Sequence, residues 1–113
     1  MARELRVRLL TKEYPPPLYG GAGVPVEYVA RALAARTPVD VRTFGTEESQ
    51  QGRLQVHGRL RDPSWGAAVP APWTSVLLAL QTCVAFADAP TQVDVAQCHT
   101  WYTSFGGILL QRL

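Results

Sequence analysis

Two clusters of residues in this chain have the types and spacing to hold a ligand. The first is Gly20, Gly21 and Gly23. Glycines take φ > 0 and leave bare backbone that a ligand can approach closely. Pro25 just after them suits the first turn of a helix, where its missing N–H costs nothing. Unpaired N–H groups at a helix start, reached through glycines, make a site for phosphate. The same residues, behind a loop stiffened by Pro15, Pro16 and Pro17, would serve equally as a long surface turn. A dinucleotide site fits poorly. In the frame Gly21-Ala22-Gly23, Val26 stands where a third glycine belongs, and Thr43-Phe44-Gly45 carries no acidic residue for a ribose. No Gly-Lys-Ser/Thr follows, so a P-loop fits worse.

The second cluster is His99-Thr100-Trp101-Tyr102-Thr103. It sits between an expected strand and an expected helix, where open α/β sheets bind ligands. Aromatic rings stack on the apolar faces of sugar rings, and their polar tips reach hydroxyls. A packed Trp and a satisfied His in a strand-to-helix turn is the alternative. Cys83, Cys98, His57 and His99 lack the paired short spacing of a zinc set, so neither a metal nor a cofactor is expected. His57 reads as a solvated strand histidine.

The elements that must position these clusters follow from periodicity. Leu5, Val7, Leu9 and Leu10 supply a first strand, with Arg6 and Arg8 between them. Val26, Val29, Ala30 and Leu33 recur at i, i+3, i+4 and i+7, one apolar stripe of a helix starting near Pro25. Val39 to Phe44 alternates as a second strand, giving a βαβ unit with parallel strands. The polar run from Thr46 to Arg53 is expected to be an exposed loop, and Leu54 to His57 a short edge strand. Pro63, Gly66, Pro70 and Pro72 mark a loop up to Trp73. Thr74 or Ser75 would cap a helix running to Ala87, apolar nearly all round and so covered on more than one side. Val93 to Gln97 is a further strand, and Thr103 or Ser104 caps a last helix, Phe105 to Leu113. The pattern is α/β: a Rossmann-like parallel sheet with flanking helices, three or four strands of it, expected to be the first half of a larger domain.

With 113 residues, 47% hydrophobic and 18% charged, the chain has globular composition. A domain of this size buries about 60–70% of its unfolded surface. The net charge of +2 is spread out, and no basic stripe invites nucleic acid. The longest apolar run, near Val76 to Leu80, is too short to span a bilayer. No secretory leader is recognisable, and Cys83 and Cys98 read as reduced, partly buried thiols of a cytoplasmic protein. Lys12 is the single lysine among eleven basic residues, and it lies in the loop ahead of the glycines.

Three runs carry a resemblance: Thr11-Lys12-Glu13-Tyr14-Pro15-Pro16, Tyr19-Gly20-Gly21-Ala22-Gly23-Val24, and Val26-Glu27. They resemble the opening of glycogen and starch synthases, of the type grouped with the family 4 retaining glycosyltransferases. His99-Thr100-Trp101-Tyr102-Thr103 is similar to a second segment of those enzymes. The resemblance implies the N-terminal part of a two-domain GT-B enzyme, with the C-terminal donor-binding domain absent from these 113 residues. The implied activity moves glucose from ADP-glucose or UDP-glucose to an α-1,4-glucan with retention. Another family 4 transferase of sucrose, trehalose or mannosyl type is the alternative, and a non-catalytic truncated product a third reading. The resemblance implies that Lys12, Glu13, Gly20, Gly21 and Gly23 face the nucleotide sugar, while His99, Trp101 and Tyr102 face acceptor or sugar. Half a cleft cannot hold both substrates, so the isolated chain is expected to be inactive. Leu18-Tyr19 replaces the lysine-bearing turn of starch synthases, and residues 50–73 match nothing in the family.

Overall fold

The computed structural model describes residues 4–14, 23–59, 70, 73–86 and 93–112. The proline turn and Gly20 and Gly21 lie outside the described residues, as does nearly all of the loop expected between Arg61 and Trp73.

Five strands form one sheet in the order β3-β4-β2-β1-β5. β1 (Val7–Leu10) lies between β2 (Val39–Thr43) and β5 (Val95–Cys98) and is parallel to both. β4 (Leu54–Gly58) extends the parallel set beyond β2, and β3 (Glu48–Gln51) closes that edge antiparallel to β4. The helices are α1 (Gly23–Ala34), α2 (Trp73–Phe86) and α3 (Ser104–Arg112), with a 3₁₀ turn at Trp101–Thr103 leading into the last. This is a Rossmann-like α/β arrangement, as the periodicity predicts, with one strand more than the sequence reveals.

Adjacent strand residues point to opposite faces, and Leu9 and Leu10 show which helix covers which. Leu9 joins Val26 and Ala30 of α1 with Val39, Val41, Leu54, Val56 and Tyr14 in one buried cluster. Leu10 joins Cys83 and Phe86 of α2, with Phe44 and Leu110 against them, on the other face. The stripe predicted for α1 is therefore real, although Val29 lies at its open margin. Near the start of α3, a Cβ on Gly106 would stand 3.0 Å from Phe86 and 3.2 Å from Leu10, so the missing side chain lets α3 settle onto this second core.

Several expectations are corrected. The polar run 46–53 is not all loop: Glu48–Gln51 forms β3, exposed on all four residues. Gly52, at φ 59°, turns the chain back in the tight two-residue connection to β4. Since β3 takes the outer position, the strand at Leu54 is not an edge but lies between β3 and β2. Thr74 and Ser75 lie inside α2, which starts at Trp73, where Trp73 N donates to Pro70 O at 2.9 Å. α2 is also less covered than its composition implies. Val76, Leu80 and Val84 form an exposed ridge opposite the buried Thr82, Cys83, Ala85 and Phe86. Finally, α3 starts at Ser104, and the Thr103 hydroxyl bonds backwards to His99 O and Thr100 O.

Arg8, expected between the apolar residues of the first strand, has no solvent exposure. On the α2 face it meets Asp40, whose Oδ2 accepts from Arg8 Nε at 3.0 Å and lies 2.8 Å from Nη2. Arg42 grips the same carboxylate through Nε at 2.7 Å and Nη2 at 3.0 Å. Arg8 Nη1 donates to Phe86 O at 3.1 Å, at the end of α2. Burial pushes the Asp40 carboxyl up, but the hydrogen bond from Arg42 and the charges of Arg8 and Arg42 outweigh it, so its pKa lies below the ordinary 3.8. Such a depressed carboxylate stabilises the fold above its unfolded pKa, and that stability is lost as pH falls through the folded value. Asp40→Asn leaves two buried guanidiniums without their counter-charge and should cost about 3–5 kcal/mol. Urea melts at neutral pH measure this loss, and the gap between the two proteins should narrow as pH falls below the carboxylate range. A variant as stable as the parent would show that the cluster contributes nothing.

Candidate functional site

β1 has its sequence neighbour β2 on one side and β5 on the other, so the sheet has a topological switch point between β1 and β5. In open α/β sheets the crevice for ligands lies there, at the carboxyl ends of the strands. The segments that emerge are residues 11–14 after β1 and residues 99–103 after β5, and these carry most of the sequence-predicted site residues.

Backbone bonds hold the first segment. Thr11 N donates to Arg42 O at 3.0 Å, and the Thr11 hydroxyl donates to Glu13 O at 2.9 Å. Thr11 is buried by this turn, while the Lys12 side chain stays exposed. On the second segment, His99 N donates to Leu10 O at 2.9 Å, which carries the β1–β5 ladder one step past the strand. Thr100 then takes φ 76° and ψ 160°. A β-branched residue rarely adopts positive φ, and such strain costs of order 1–3 kcal/mol. The Thr103 hydroxyl, donating to Thr100 O at 2.9 Å and His99 O at 3.2 Å, holds the strained turn.

The strained turn sets a row of rings leading from core to solvent. Phe86 meets Phe44 at 5.6 Å between centroids, Phe44 meets the Tyr102 edge at 5.9 Å, and Tyr102 meets Trp101 at 5.5 Å. The Cys83 thiol fixes the backbone beneath by donating to Tyr102 O at 3.1 Å. Trp101 ends the row 75% exposed. Lys12 Nζ stands 5.6 Å from the centre of the Tyr102 ring, within cation–π range. Lys12, from the segment ahead of the glycines, thus meets the second sequence cluster at Tyr102.

His99 is half-buried, with no partner for Nε2 among the described residues. Burial lowers its pKa below 6.5, which keeps the ring neutral at pH 7. Glu13 likewise has a buried Oε2 without a partner. The exposed Lys12 ammonium beside the Tyr102 ring, with Trp101 exposed at the end of the row, puts a cation and aromatic rings together, the chemistry a hydroxylated, anionic ligand can meet, whereas His99 Nε2 and Glu13 Oε2 are buried. Gly23 is the first residue of α1, and Gly20 and Gly21 lie outside the described residues. His57 is a strand histidine as expected, 2.7 Å from Glu48 Oε2. Cys83 and Cys98 are free, the first buried and the second exposed. Among the described residues no three metal-ligating side chains gather, and no helix is long and apolar enough to cross a membrane. Sequence reasoning missed Phe44 and Thr100. An aromatic residue just past a strand's carboxyl end was the available signal for Phe44, whereas nothing in the sequence marks the backbone of Thr100.

The fold defines an open, Rossmann-like α/β unit with a topological switch point between β1 and β5. Over 105 residues the chain is 35% identical to an alpha-maltose-1-phosphate synthase of Mycobacterium tuberculosis, a match covering 93% of the chain and 24% of that protein. It is 37% identical over 109 residues to the alpha-maltose-1-phosphate synthase of Mycolicibacterium smegmatis, covering 96% of the chain and 26% of the relative. The chain therefore spans about a quarter of the length of these curated relatives. No family model matches it.

Because glycine accepts the Thr100 conformation without penalty, Thr100→Gly should keep or raise the melting temperature. A typical threonine-to-glycine change in a loop would lower it through unfolded-state entropy. A drop of several degrees in a thermal melt would show that the turn is not strained in solution.

Proposed function

We propose that the chain is the N-terminal part of a retaining family 4 glycosyltransferase of GT-B architecture, forming a disaccharide phosphate by glucosyl transfer to a phosphorylated sugar. What carries this reading is the 35–37% identity, across nearly the whole chain, to proteins named alpha-maltose-1-phosphate synthase. That name favours the alternative of another family 4 transferase over the glycogen synthase reading. Making an α-maltose 1-phosphate by transfer means adding a glucosyl unit to glucose 1-phosphate. ADP-glucose or UDP-glucose is the donor, and the leaving group is the nucleoside diphosphate. The protein works in the cytoplasm, and a C-terminal domain supplies most donor contacts.

The geometry supports a phosphorylated acceptor. The Tyr102 and Trp101 faces offer stacking for a pyranose, and the Lys12 ammonium lies close enough to pair with a phosphate on the same sugar. His99, at the head of the same turn, stays on the acceptor side, with its Nε2 buried. Glu13 and the backbone at Gly20, Gly21 and Gly23 stay on the donor side, where glycine N–H groups meet the diphosphate. A second reading, elongation of an α-1,4-glucan, is favoured by the exposure of Trp101, an open shelf past which a long chain can run.

In the enzyme containing this chain and its donor-binding domain, ADP-glucose should glucosylate glucose 1-phosphate. Lys12→Met should raise KM for glucose 1-phosphate about tenfold or more, the worth of one charge-assisted hydrogen bond, with the donor KM little changed. Transfer to glycogen alone, or an effect of Lys12→Met confined to the donor, would overturn the assignment. The isolated chain should bind ADP-glucose only at about millimolar Kd and transfer nothing.

A further inference from the structure

A separate cavity of about 340 Å³ lies between α1 and the β3–β4 hairpin, on the opposite side of the sheet from α2. That volume is near the lower end of small-molecule sites. Leu54 and Val56 supply its apolar floor, and Tyr14, Glu27, Arg31, Ser49 and Gln51 supply polar groups around it. Glu27 Oε2 accepts from Arg31 Nη2 at 3.3 Å, and Arg31 Nη1 donates to Gln51 Oε1 at 3.2 Å, so helix and hairpin are bridged across the rim.

Tyr14 is the unusual member. Its side chain is only 6% exposed, and its hydroxyl has no hydrogen-bond partner among the described residues. Burial raises its pKa, so the phenol keeps its proton and remains a donor at neutral pH. A buried hydroxyl without a partner is unfavourable, and a ligand oxygen reaching it would remove that cost. The rim charges of Glu27 and Arg31 cancel, which disfavours an ionic ligand. Tyr14, Ser49 and Gln51 bring hydroxyl and amide groups to an apolar floor of Leu54 and Val56, a composition that suits a ring with hydroxyls at its edge and C–H groups on its face.

We propose that this cavity is a saccharide-binding pocket for one neutral pyranose unit, distinct from the crevice at the switch point. It shares a segment with that crevice, since Tyr14 follows Lys12 and Glu13 directly in the chain. Occupancy of the pocket therefore bears on the backbone that presents Lys12. The pocket does not depend on the transfer reaction, because none of its lining residues is among those assigned to the crevice.

The test titrates maltose into the ¹⁵N-labelled chain. Saturable shifts are expected at the amides of Tyr14, Glu27, Ser49, Gln51 and Val56, with Kd of about 1 mM. Tyr14→Phe keeps the ring and removes one hydrogen bond, and should weaken binding about fivefold to tenfold. Ser49→Arg, on an exposed strand position, should abolish the pocket shifts by filling the mouth without touching the core. Shifts at Lys12, His99 and Trp101 that both variants leave unchanged would belong to the crevice and bear only on the transferase reading. No saturable shift at the pocket amides, or pocket binding undiminished in both variants, would overturn the proposal.

Discussion

The carboxylate of Asp40 is the point on which the described structure turns. Two arginines from adjacent strands share it, Arg8 from β1 and Arg42 from β2, and Arg8 also donates to the last carbonyl of α2. A buried ion pair seldom adds much net stability, because desolvation offsets the attraction. Its value is in direction: guanidinium and carboxylate accept few geometries, so the register of β1 on β2 and the seat of Phe86 are fixed together. Phe86 in turn begins the row of rings that reaches Tyr102 and Trp101. The electrostatics of one sheet face thus set the position of the aromatic shelf at the sheet's end.

The two sheet faces are built on different chemistry. Beneath α1 the strands present Leu9, Val39, Val41, Leu54 and Val56, an apolar layer that accommodates a helix through burial alone. On the other side Arg8, Asp40 and Arg42 occupy β1 and β2, and among the described residues an apolar cluster of Leu10, Cys83 and Phe86, with Phe44 and Leu110 against it, packs beside them. The face that carries the aromatic row relies on specific polar contacts, while the face that carries the accessory pocket relies on hydrophobic area.

Most of the fold was legible in the sequence because the βαβ signal is strong: alternation at Val39–Thr43 and a clean 3.6-residue stripe at Val26, Ala30 and Leu33. β3 escaped because Glu48-Ser49-Gln50-Gln51 has neither strand propensity nor an apolar face. It is a strand because β4 offers it a partner and Gly52 turns the chain. The buried Arg8 escaped because its partner lies 32 positions away. At the site, Lys12 and the His99–Tyr102 segment could be named from residue type and from resemblance, yet their meeting depends on β1 and β5 being neighbours, which no local pattern states.

The pairing of β1 with β5 also bears on how the chain reaches this state. Val7 lies opposite Val95, and Arg6 N donates to Asp94 Oδ2 across 88 positions of sequence. β1, α1, β2 and the β3–β4 hairpin can associate through much shorter loops. Loop-closure entropy penalises distant pairings, so β5 is expected to dock late. A nascent chain on the ribosome would then carry β1 with one side unpaired until residues near 98 emerge. The crevice, which exists only between those two strands, would be the last part of the described structure to form.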